Sequence, residues 1–228
     1  MWLRKLLKII FAILYRLFAI VHTYGLENIP EKGGAILASN HLGILDAPLI
    51  FLKVPRKDLT ALVAKKHQKN LLLRWVVNGA RGIWINRDEA DSQAVRAARD
   101  HLQNGGLLGI APEGTRSKTG TLIEGKTGVA FMADKAQVPI IPIGITGTHN
   151  GIKQLISFHR PRITISFGKP FMLPPIDRKN RDASLRKNTD EIMCQIAALL
   201  PTDFRGIYSD HPRLGELLED SPKTRIVA

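Results

Sequence analysis

The stretch AILASNHLGILD, residues 35–46, decides how this sequence is interpreted, because an apolar run leads directly into a histidine and an aspartate. Residues 35–39 are typical of a buried strand. His41 and Asp46 follow in the turn after it. A neutral imidazole takes a proton from a hydroxyl near pH 7, and a carboxylate on the other ring nitrogen fixes the tautomer and stabilises the imidazolium. The stretch therefore predicts a base, His41, oriented by Asp46.

A covalent acyl-enzyme is not indicated by the sequence. It contains no Gly-x-Ser-x-Gly elbow, and its single cysteine, Cys194, lies far downstream in an amphipathic segment. We therefore expect the activated hydroxyl to belong to the substrate. Taken alone, the stretch also fits a histidine that only caps the turn after a strand.

Beyond this stretch, apolar β-prone runs alternate with helical segments. Such alternation predicts an α/β fold with a mixed, largely parallel sheet flanked by helices, in which sites gather at the strand ends. We expect a helix within residues 1–24, an α/β domain over 25–175, and a C-terminal helix with a polar tail over 176–228. Predicted strands cover 35–39, 59–64, 83–86, 107–111, 140–145 and 162–167, and predicted helices cover 48–52, 66–77, 91–103, 127–135 and 185–200.

Three positively charged side chains are expected near the strand ends. Arg116 lies in the segment PEGTRS, residues 112–117, Arg87 ends a predicted strand, and Lys126 precedes a predicted helix. Gly114 lets the backbone approach a ligand and expose its N–H groups to an anion. Guanidinium and ammonium groups at such a surface favour a phosphate over a neutral alcohol.

Four blocks of this sequence resemble the motifs of the glycerolipid acyltransferases, and most closely those of the lysophosphatidic acid (1-acyl-glycerol-3-phosphate) acyltransferases. The resemblance covers about residues 25–170, and the order and spacing of the blocks make it specific. The blocks are His-x4-Asp at 41–46, GIWINR at 82–87, PEGTRS at 112–117 and VPIIPIGI at 138–145.

The resemblance implies an O-acyltransferase that moves a fatty acyl group from an acyl-CoA or acyl-carrier-protein thioester to a lysophospholipid hydroxyl. The acceptor it implies is 1-acyl-glycerol-3-phosphate, and the product is phosphatidic acid. Glycerol 3-phosphate or another lysolipid is the alternative acceptor, and a non-enzymatic basic module that binds membrane or nucleic acid is the remote alternative.

The resemblance also implies the site residues. His41 and Asp46 are expected to be catalytic, and no metal or other cofactor is expected. Glu113 either hydrogen-bonds the acceptor or braces its loop against Arg116, and N–H groups around Gly114 are expected to stabilise the oxyanion. The positions expected to bind substrate are Arg87, Glu113, Gly114, Thr115, Arg116 and Lys126.

The charge of the chain predicts an anionic partner. The 228 residues carry a formal net charge of +13, and 44% of them are hydrophobic, which is ample for a core. No zinc-finger spacing, RNA-binding aromatic signature or heptad repeat points to nucleic acid, so we expect anionic membrane lipids and phosphorylated substrates instead. A single cysteine fits a reducing compartment.

The N-terminal segment predicts how the chain meets a membrane. Over residues 4–23 a helical wheel gathers Arg4, Lys5, Lys8 and Arg16 on one arc and leaves the rest apolar. The longest run without charge, residues 9–15, is far shorter than the roughly 20 residues that cross a bilayer. We therefore expect an in-plane helix with its cations on anionic head groups.

Two alternatives for this segment stay open, namely a signal peptide and a helix packed on its own domain. Residues 65–75 predict a second interfacial element, and the alternative for them is a core helix with a basic cap. Peripheral attachment to the cytoplasmic face of a membrane is the expected location.

Overall fold

The computed structural model describes residues 2–86, 91–157 and 159–220. Among these residues, seven strands form one sheet in the order β1-β7-β6-β2-β5-β3-β4. Every neighbouring pair is parallel except β6 with β7. The predicted mixed, largely parallel sheet is confirmed. The strands are β1 (Ile20–Tyr24), β2 (Ala35–Ser39), β3 (Leu59–Ala64), β4 (Ile83–Ile85), β5 (Leu107–Ile110), β6 (Ile140–Thr146) and β7 (Arg162–Phe167).

Helices cover both faces of the sheet. The face that carries α4, α5, α7 and α8 forms one hydrophobic core, and the face that carries α1 and α2 forms the other. The helices are α1 (Trp2–Phe18), α2 (Asp46–Lys53), α3 (Leu71–Gly79), α4 (Ser92–Gln103), α5 (Gly128–Ala136), α6 (Gly151–Ile156), α7 (Arg181–Ala198) and α8 (Pro212–Asp220).

The central strand β2 is buried on both faces, which explains its unbroken apolar sequence. Ile36 and Ala38 face one core, and Ala35 and Leu37 face the other. Because β5 and β6 run parallel to β2 on either side, all three strands end at one edge of the sheet. The loops that follow them are thereby brought together at that edge.

The predicted helix over residues 4–23 is too long. In the structure α1 ends at Phe18, and β1 pairs in parallel with β7 at the edge of the sheet. The Ile20 N–H donates to the Pro161 carbonyl at 2.9 Å instead of continuing the helix. Residues 20–24 include β-branched side chains, which suit a strand once a partner strand is available.

The predicted helix over residues 66–77 is divided in two. Residues 65–69 form a short 3-10 helix, and α3 begins after Asn70. The Asn70 side chain accepts a hydrogen bond from the Leu73 N–H at 2.9 Å, so it caps the start of α3.

The C-terminal region is part of the same packed unit as the sheet. Leu185, Ile192 and Met193 of α7, together with Leu214 of α8, lie in the core that contains Ile36 of β2. The boundary predicted at residue 175 therefore does not separate two packing units. Among the described residues, no helix is long and apolar enough to cross a membrane.

Candidate functional site

The imidazole of His41 and the carboxylate of Asp46 meet directly beyond the end of β2. His41 Nδ1 lies 2.8 Å from Asp46 Oδ2. The His41 side chain is 30% exposed, whereas that of Asp46 is 2% exposed. A carboxylate on Nδ1 favours the tautomer with its proton there, which leaves the Nε2 lone pair free to accept a proton. The geometry expected of a base and its orienting residue is present.

The Asp46 carboxylate is fixed by the backbone of the same loop. Its Oδ2 also accepts the N–H groups of Leu42 at 2.7 Å and Gly43 at 2.8 Å. Asp46 is the first residue of α2, where a negative charge is stabilised by the helix dipole. The spacing in His-x4-Asp thus lets the carboxylate accept hydrogen bonds from its own turn while it holds the histidine.

Glu113 holds the backbone of His41. Its side chain is almost fully buried, and its Oε1 accepts the His41 N–H at 2.8 Å while its Oε2 accepts the Ile123 N–H at 3.4 Å. Burial, with a smaller contribution from the charge of Asp46, raises the pKa of Glu113 to about 7 against the lowering effect of these N–H groups. The structure therefore gives Glu113 a bracing contact to His41, and its contact with an acceptor stays a prediction.

Arg116 lies on the surface beside the base. It lines an open cleft of about 300 Å³ together with Leu42, Thr115 and Lys118. The loop is joined to the turn that carries His41, because the Ser117 N–H donates to the His41 carbonyl at 2.8 Å. A guanidinium and an ammonium at this cleft suit a phosphate.

Gly114 and Lys126 lie on the other side of the same loop. Gly114 has a φ of 68°, in the left-handed region that favours glycine, and a Cβ there would lie 3.0 Å from Cδ of the Lys126 side chain. The Gly114 N–H donates to the Ala111 carbonyl at 3.0 Å. This N–H would have to leave that bond to bind an oxyanion, and the oxyanion role expected of the N–H groups around Gly114 stays a prediction. Lys126 is exposed, and its contact with a substrate stays a prediction.

Arg87 lies outside the described residues, so its predicted contact with the acceptor phosphate stays a prediction. Among the described residues, no three His, Cys, Asp or Glu side chains are grouped as a metal site. The expectation that no metal is required also stays a prediction.

Cys194 of α7 is fully buried in the hydrophobic core of the domain. Burial, followed by the charges of Glu191 and Asp190, raises the pKa of its thiol to about 12. The thiolate is the nucleophilic form of cysteine, so this environment does not favour a covalent intermediate on Cys194.

Part of the polar arc of α1 faces the domain, which contradicts part of the expected orientation, whereas Lys5 and Arg16 of the same arc are exposed. Arg4 Nη1 donates to the Ala80 carbonyl at 2.7 Å, and Lys8 Nζ donates to the Val54 carbonyl at 2.8 Å. These carbonyls follow the C-terminal ends of α3 and α2, where cations are favoured. The helical wheel alone suggested that Arg4 and Lys8 project away from the domain. In the structure they point towards it instead.

The exposed face of α1 is largely apolar and also carries Lys5 and Arg16. Nearby on the surface, α3 exposes Leu71, Leu72 and Trp75, and α1 and α3 are in contact. Two adjacent helices thus present apolar side chains to solvent on the same face of the sheet. The exposed apolar residues of α1 include Trp2, Ile9, Ile13, Leu14, Leu17 and Phe18.

Four residues that contact the site were not assigned a role from the sequence. The Asn40 side chain joins β2 to β6, because it both donates to and accepts from Ile145 at 2.8 Å. Tyr15 of α1 is buried and donates its hydroxyl to the Leu45 carbonyl, beside Asp46. Ser117 contacts His41, and His149 lines the cleft with Arg116. The position of Asn40 directly after β2 is a signal for its role that the sequence offers. The other contacts join segments that are distant along the chain, so no local pattern points to them.

Comparisons with known proteins give the family of the chain. Residues 20–146 match the family model described as Acyltransferase. A 1-acyl-sn-glycerol-3-phosphate acyltransferase of Cocos nucifera is 32% identical over 60% of this chain and 45% of its own length. That of Borreliella burgdorferi is 32% identical over 59% of this chain and 54% of its own length. The chain thus spans about half the length of these two curated relatives.

A solved structure has a similar fold. The crystal structure of the 1-acyl-sn-glycerophosphate acyltransferase of Thermotoga maritima matches with a TM-score of 0.60 and 27% sequence identity. The match covers 83% of this chain and 74% of that one. The likeness therefore extends over most of the α/β unit.

Proposed function

Because this chain belongs to the acyltransferase family, we propose that it is an O-acyltransferase that acylates the free hydroxyl of a lysophospholipid. The proposed acceptor is 1-acyl-glycerol-3-phosphate, and the product is phosphatidic acid. The observation that carries the proposal is the His41–Asp46 pair at 2.8 Å, next in sequence to Leu42, which lines a cleft together with Arg116. Relatives named as 1-acyl-sn-glycerol-3-phosphate acyltransferases support the choice of acceptor.

The proposed reaction is a direct transfer. The acceptor hydroxyl oxygen attacks the thioester carbonyl carbon while His41 Nε2 takes the hydroxyl proton. Asp46 stabilises the imidazolium that forms. The tetrahedral intermediate then collapses with cleavage of the C–S bond, and His41 returns its proton to the departing thiolate. A positioned base of this kind contributes a factor of about 10² to 10⁴ to the rate.

The acceptor phosphate is proposed to bind Arg116, with Lys118 on the same cleft. The guanidinium offers two parallel N–H donors to phosphate oxygens, and the exposed ammonium adds a second charge. Lys126 and Arg87 are proposed as further phosphate contacts. Acyl-CoA and acyl carrier protein, both acidic, are the proposed donors.

The exposed apolar face of α1 and α3 is proposed to lie in a membrane interface. Apolar side chains on that face would be among the acyl tails, while the domain stays outside the bilayer. A chain of net charge +13 favours the anionic cytoplasmic leaflet. A single-chain lipid acceptor would then reach His41 without leaving the membrane.

Purified protein, labelled acyl-CoA or acyl carrier protein, and a panel of acceptors test the function. We expect labelled phosphatidic acid from lysophosphatidic acid, formed at least about 10²-fold more slowly by His41→Ala. Faster labelling of glycerol 3-phosphate would assign the alternative acceptor. If no acceptor were labelled with either donor, a binding module would be the better interpretation.

The membrane proposal has a separate test. Ile13→Ser with Leu17→Ser changes two exposed residues of α1 and leaves its packed face unaltered. We expect weaker co-sedimentation with liposomes at unchanged activity on detergent-dispersed acceptor. Undiminished co-sedimentation would contradict the proposed orientation of α1.

A further inference from the structure

A basic pocket of about 490 Å³ lies near the amino-terminal ends of strands β3 and β4. His41, in contrast, follows the carboxyl end of the parallel strand β2. The walls of the pocket come from the first turns of α1, the segment before β3 and the end of α3. Among the described residues that line it, none is acidic, and five are positively charged. These five, which define the basic pocket, are Arg4, Lys5, Lys8, Lys57 and Arg81.

Among the described residues that line the basic pocket, no carboxylate balances its charge. Burial and then the charge of Arg81 lower the pKa of Arg4, and burial and then Arg4 lower that of Lys8. The charge of Asp58 has a smaller, opposite effect on the pKa of Arg4, and its carboxylate also accepts a hydrogen bond from Arg56 Nε at 3.0 Å. Like charges held together in a partly buried cavity repel each other, and an anion relieves that repulsion.

Arg4 is held rigidly in the wall. Its guanidinium lies 4.6 Å from the centre of the Phe51 ring and donates from Nη1 to the Ala80 carbonyl. Its Nε and Nη2 atoms are buried without a hydrogen-bond partner among the described residues. A buried donor left unpaired is costly, so packing of the wall alone does not account for an arginine here.

Arg81 occupies a backbone position that favours glycine. It has a φ of 62°, in the left-handed region, directly after the end of α3. Its N–H donates to the Asn78 carbonyl at 3.0 Å, and the Gly82 N–H donates to the Val77 carbonyl at 2.8 Å. This is the Schellman pattern, in which glycine is usual at the position of Arg81. A strained arginine at the wall of a cavity points to a function for its side chain.

We propose that the basic pocket binds the phosphate group of an anionic ligand, and that the ligand is a phospholipid headgroup. Clustered guanidinium and ammonium groups that line a cavity match the charge of phosphate, and N–H groups of this kind are donors that phosphate oxygens accept. Trp2, at the same end of α1, is 72% exposed, and the outward face of that helix is apolar. A helix at the interface would hold the pocket at the level of the headgroups. The site is separate from His41, so it does not depend on the proposed acyl transfer.

Arg81→Gly is the most informative variant, because it removes the charge and relieves the backbone strain. Its melting temperature should equal or exceed that of the wild type, so weaker binding cannot be ascribed to unfolding. Lys57→Ala is a second variant, at an exposed position of the basic pocket. Lys187→Ala is the control, because it removes one exposed charge from α7 on the other face of the sheet.

Binding is measured in two arms, with phosphatidylcholine vesicles that contain or lack phosphatidic acid, and with inorganic phosphate by calorimetry. We expect Arg81→Gly to weaken binding to the anionic vesicles by about tenfold or more and Lys187→Ala to change it by less than about twofold. Sensitivity to Arg81→Gly in the phosphate arm alone would support a phosphate site and overturn the headgroup assignment. Equal effects of Arg81→Gly, Lys57→Ala and Lys187→Ala in both arms would overturn the site itself.

Discussion

The edges of the sheet at the two ends of its parallel strands differ in how their charged side chains are paired. Beyond β2, the Asp46 carboxylate is buried and accepts three hydrogen bonds at one oxygen, including that of His41. At the other edge, five cations line one cavity without an acidic residue among the described lining. Compensated charge fixes a geometry, which proton transfer requires. Uncompensated charge favours the arrival of an anion, which binding requires.

The catalytic edge should be the more sensitive of the two to a single substitution. His41→Ala removes the base, and Asp46→Asn removes the charge that stabilises the imidazolium. We expect kcat to fall by about 10² to 10⁴ in His41→Ala and by a smaller factor in Asp46→Asn. Steady-state kinetics with circular dichroism as the fold control measure this, and a normal kcat in His41→Ala would contradict the mechanism.

Arg116 tests whether the cleft at this edge also binds an anion. Arg116→Ala should lower kcat/KM for a phosphorylated acceptor by about 10 to 10³, because a charge-assisted contact is lost. Arg116→Lys should restore part of it. The control acceptor is an unphosphorylated monoacylglycerol, and an equal loss on both acceptors would refute the phosphate contact.

Glu113 tests how the stability of the folded chain depends on pH. The pKa of Glu113 is raised from 4.5 to about 7 in the folded chain, so the folded state retains a proton that the unfolded state releases. Its contribution to stability is therefore greatest below pH 4.5 and is lost as the pH rises towards 7. Across this range the free energy of unfolding should fall in both proteins. The fall in the wild type should exceed the fall in Glu113→Gln by on the order of 3 kcal/mol.

Denaturant titrations at pH 5 and pH 8 measure this difference. Glu31→Gln, at an exposed position, is the matched control and should follow the wild type. Identical pH dependence in the wild type and Glu113→Gln would show that the buried carboxyl does not keep its proton.

Tyr15 links the apolar helix α1 to the catalytic edge and should give the smallest effect. Tyr15→Phe leaves the Leu45 carbonyl, next to Asp46, without the hydroxyl that donates to it. We expect kcat to fall about tenfold with the acceptor KM and liposome binding unchanged. A rise in KM without a fall in kcat would indicate that Tyr15 acts on acceptor entry instead.

Local sequence patterns predicted the strands and the contact between His41 and Asp46. Six predicted strands are present within one residue of their predicted ends, and His41 and Asp46 meet as expected. Both outcomes depend on short-range features, namely apolar runs and a five-residue spacing within one turn. The resemblance to known motifs added an expected acceptor to these predictions, but it gave no contact geometry.

Long-range contacts account for most of what the sequence did not predict. Residues 20–24 become a strand because β7, far along the chain, offers an edge. The wheel of α1 separated polar from apolar side chains correctly, but only the carbonyls that follow α2 and α3 determine that Arg4 and Lys8 point inward. The basic pocket joins α1 with residues before β3 and after α3, which no local pattern reveals.

The separation of the two edges is tested most directly by assaying His41→Ala for both properties in one sample. Vesicles that contain phosphatidic acid and lysophosphatidic acid are mixed with protein and labelled acyl thioester, sedimented, and analysed for bound protein and labelled phosphatidic acid. We predict that His41→Ala sediments like the wild type but forms product at least about 10²-fold more slowly. Transfer at the wild-type rate, or a loss of sedimentation in proportion to the loss of transfer, would contradict the separation.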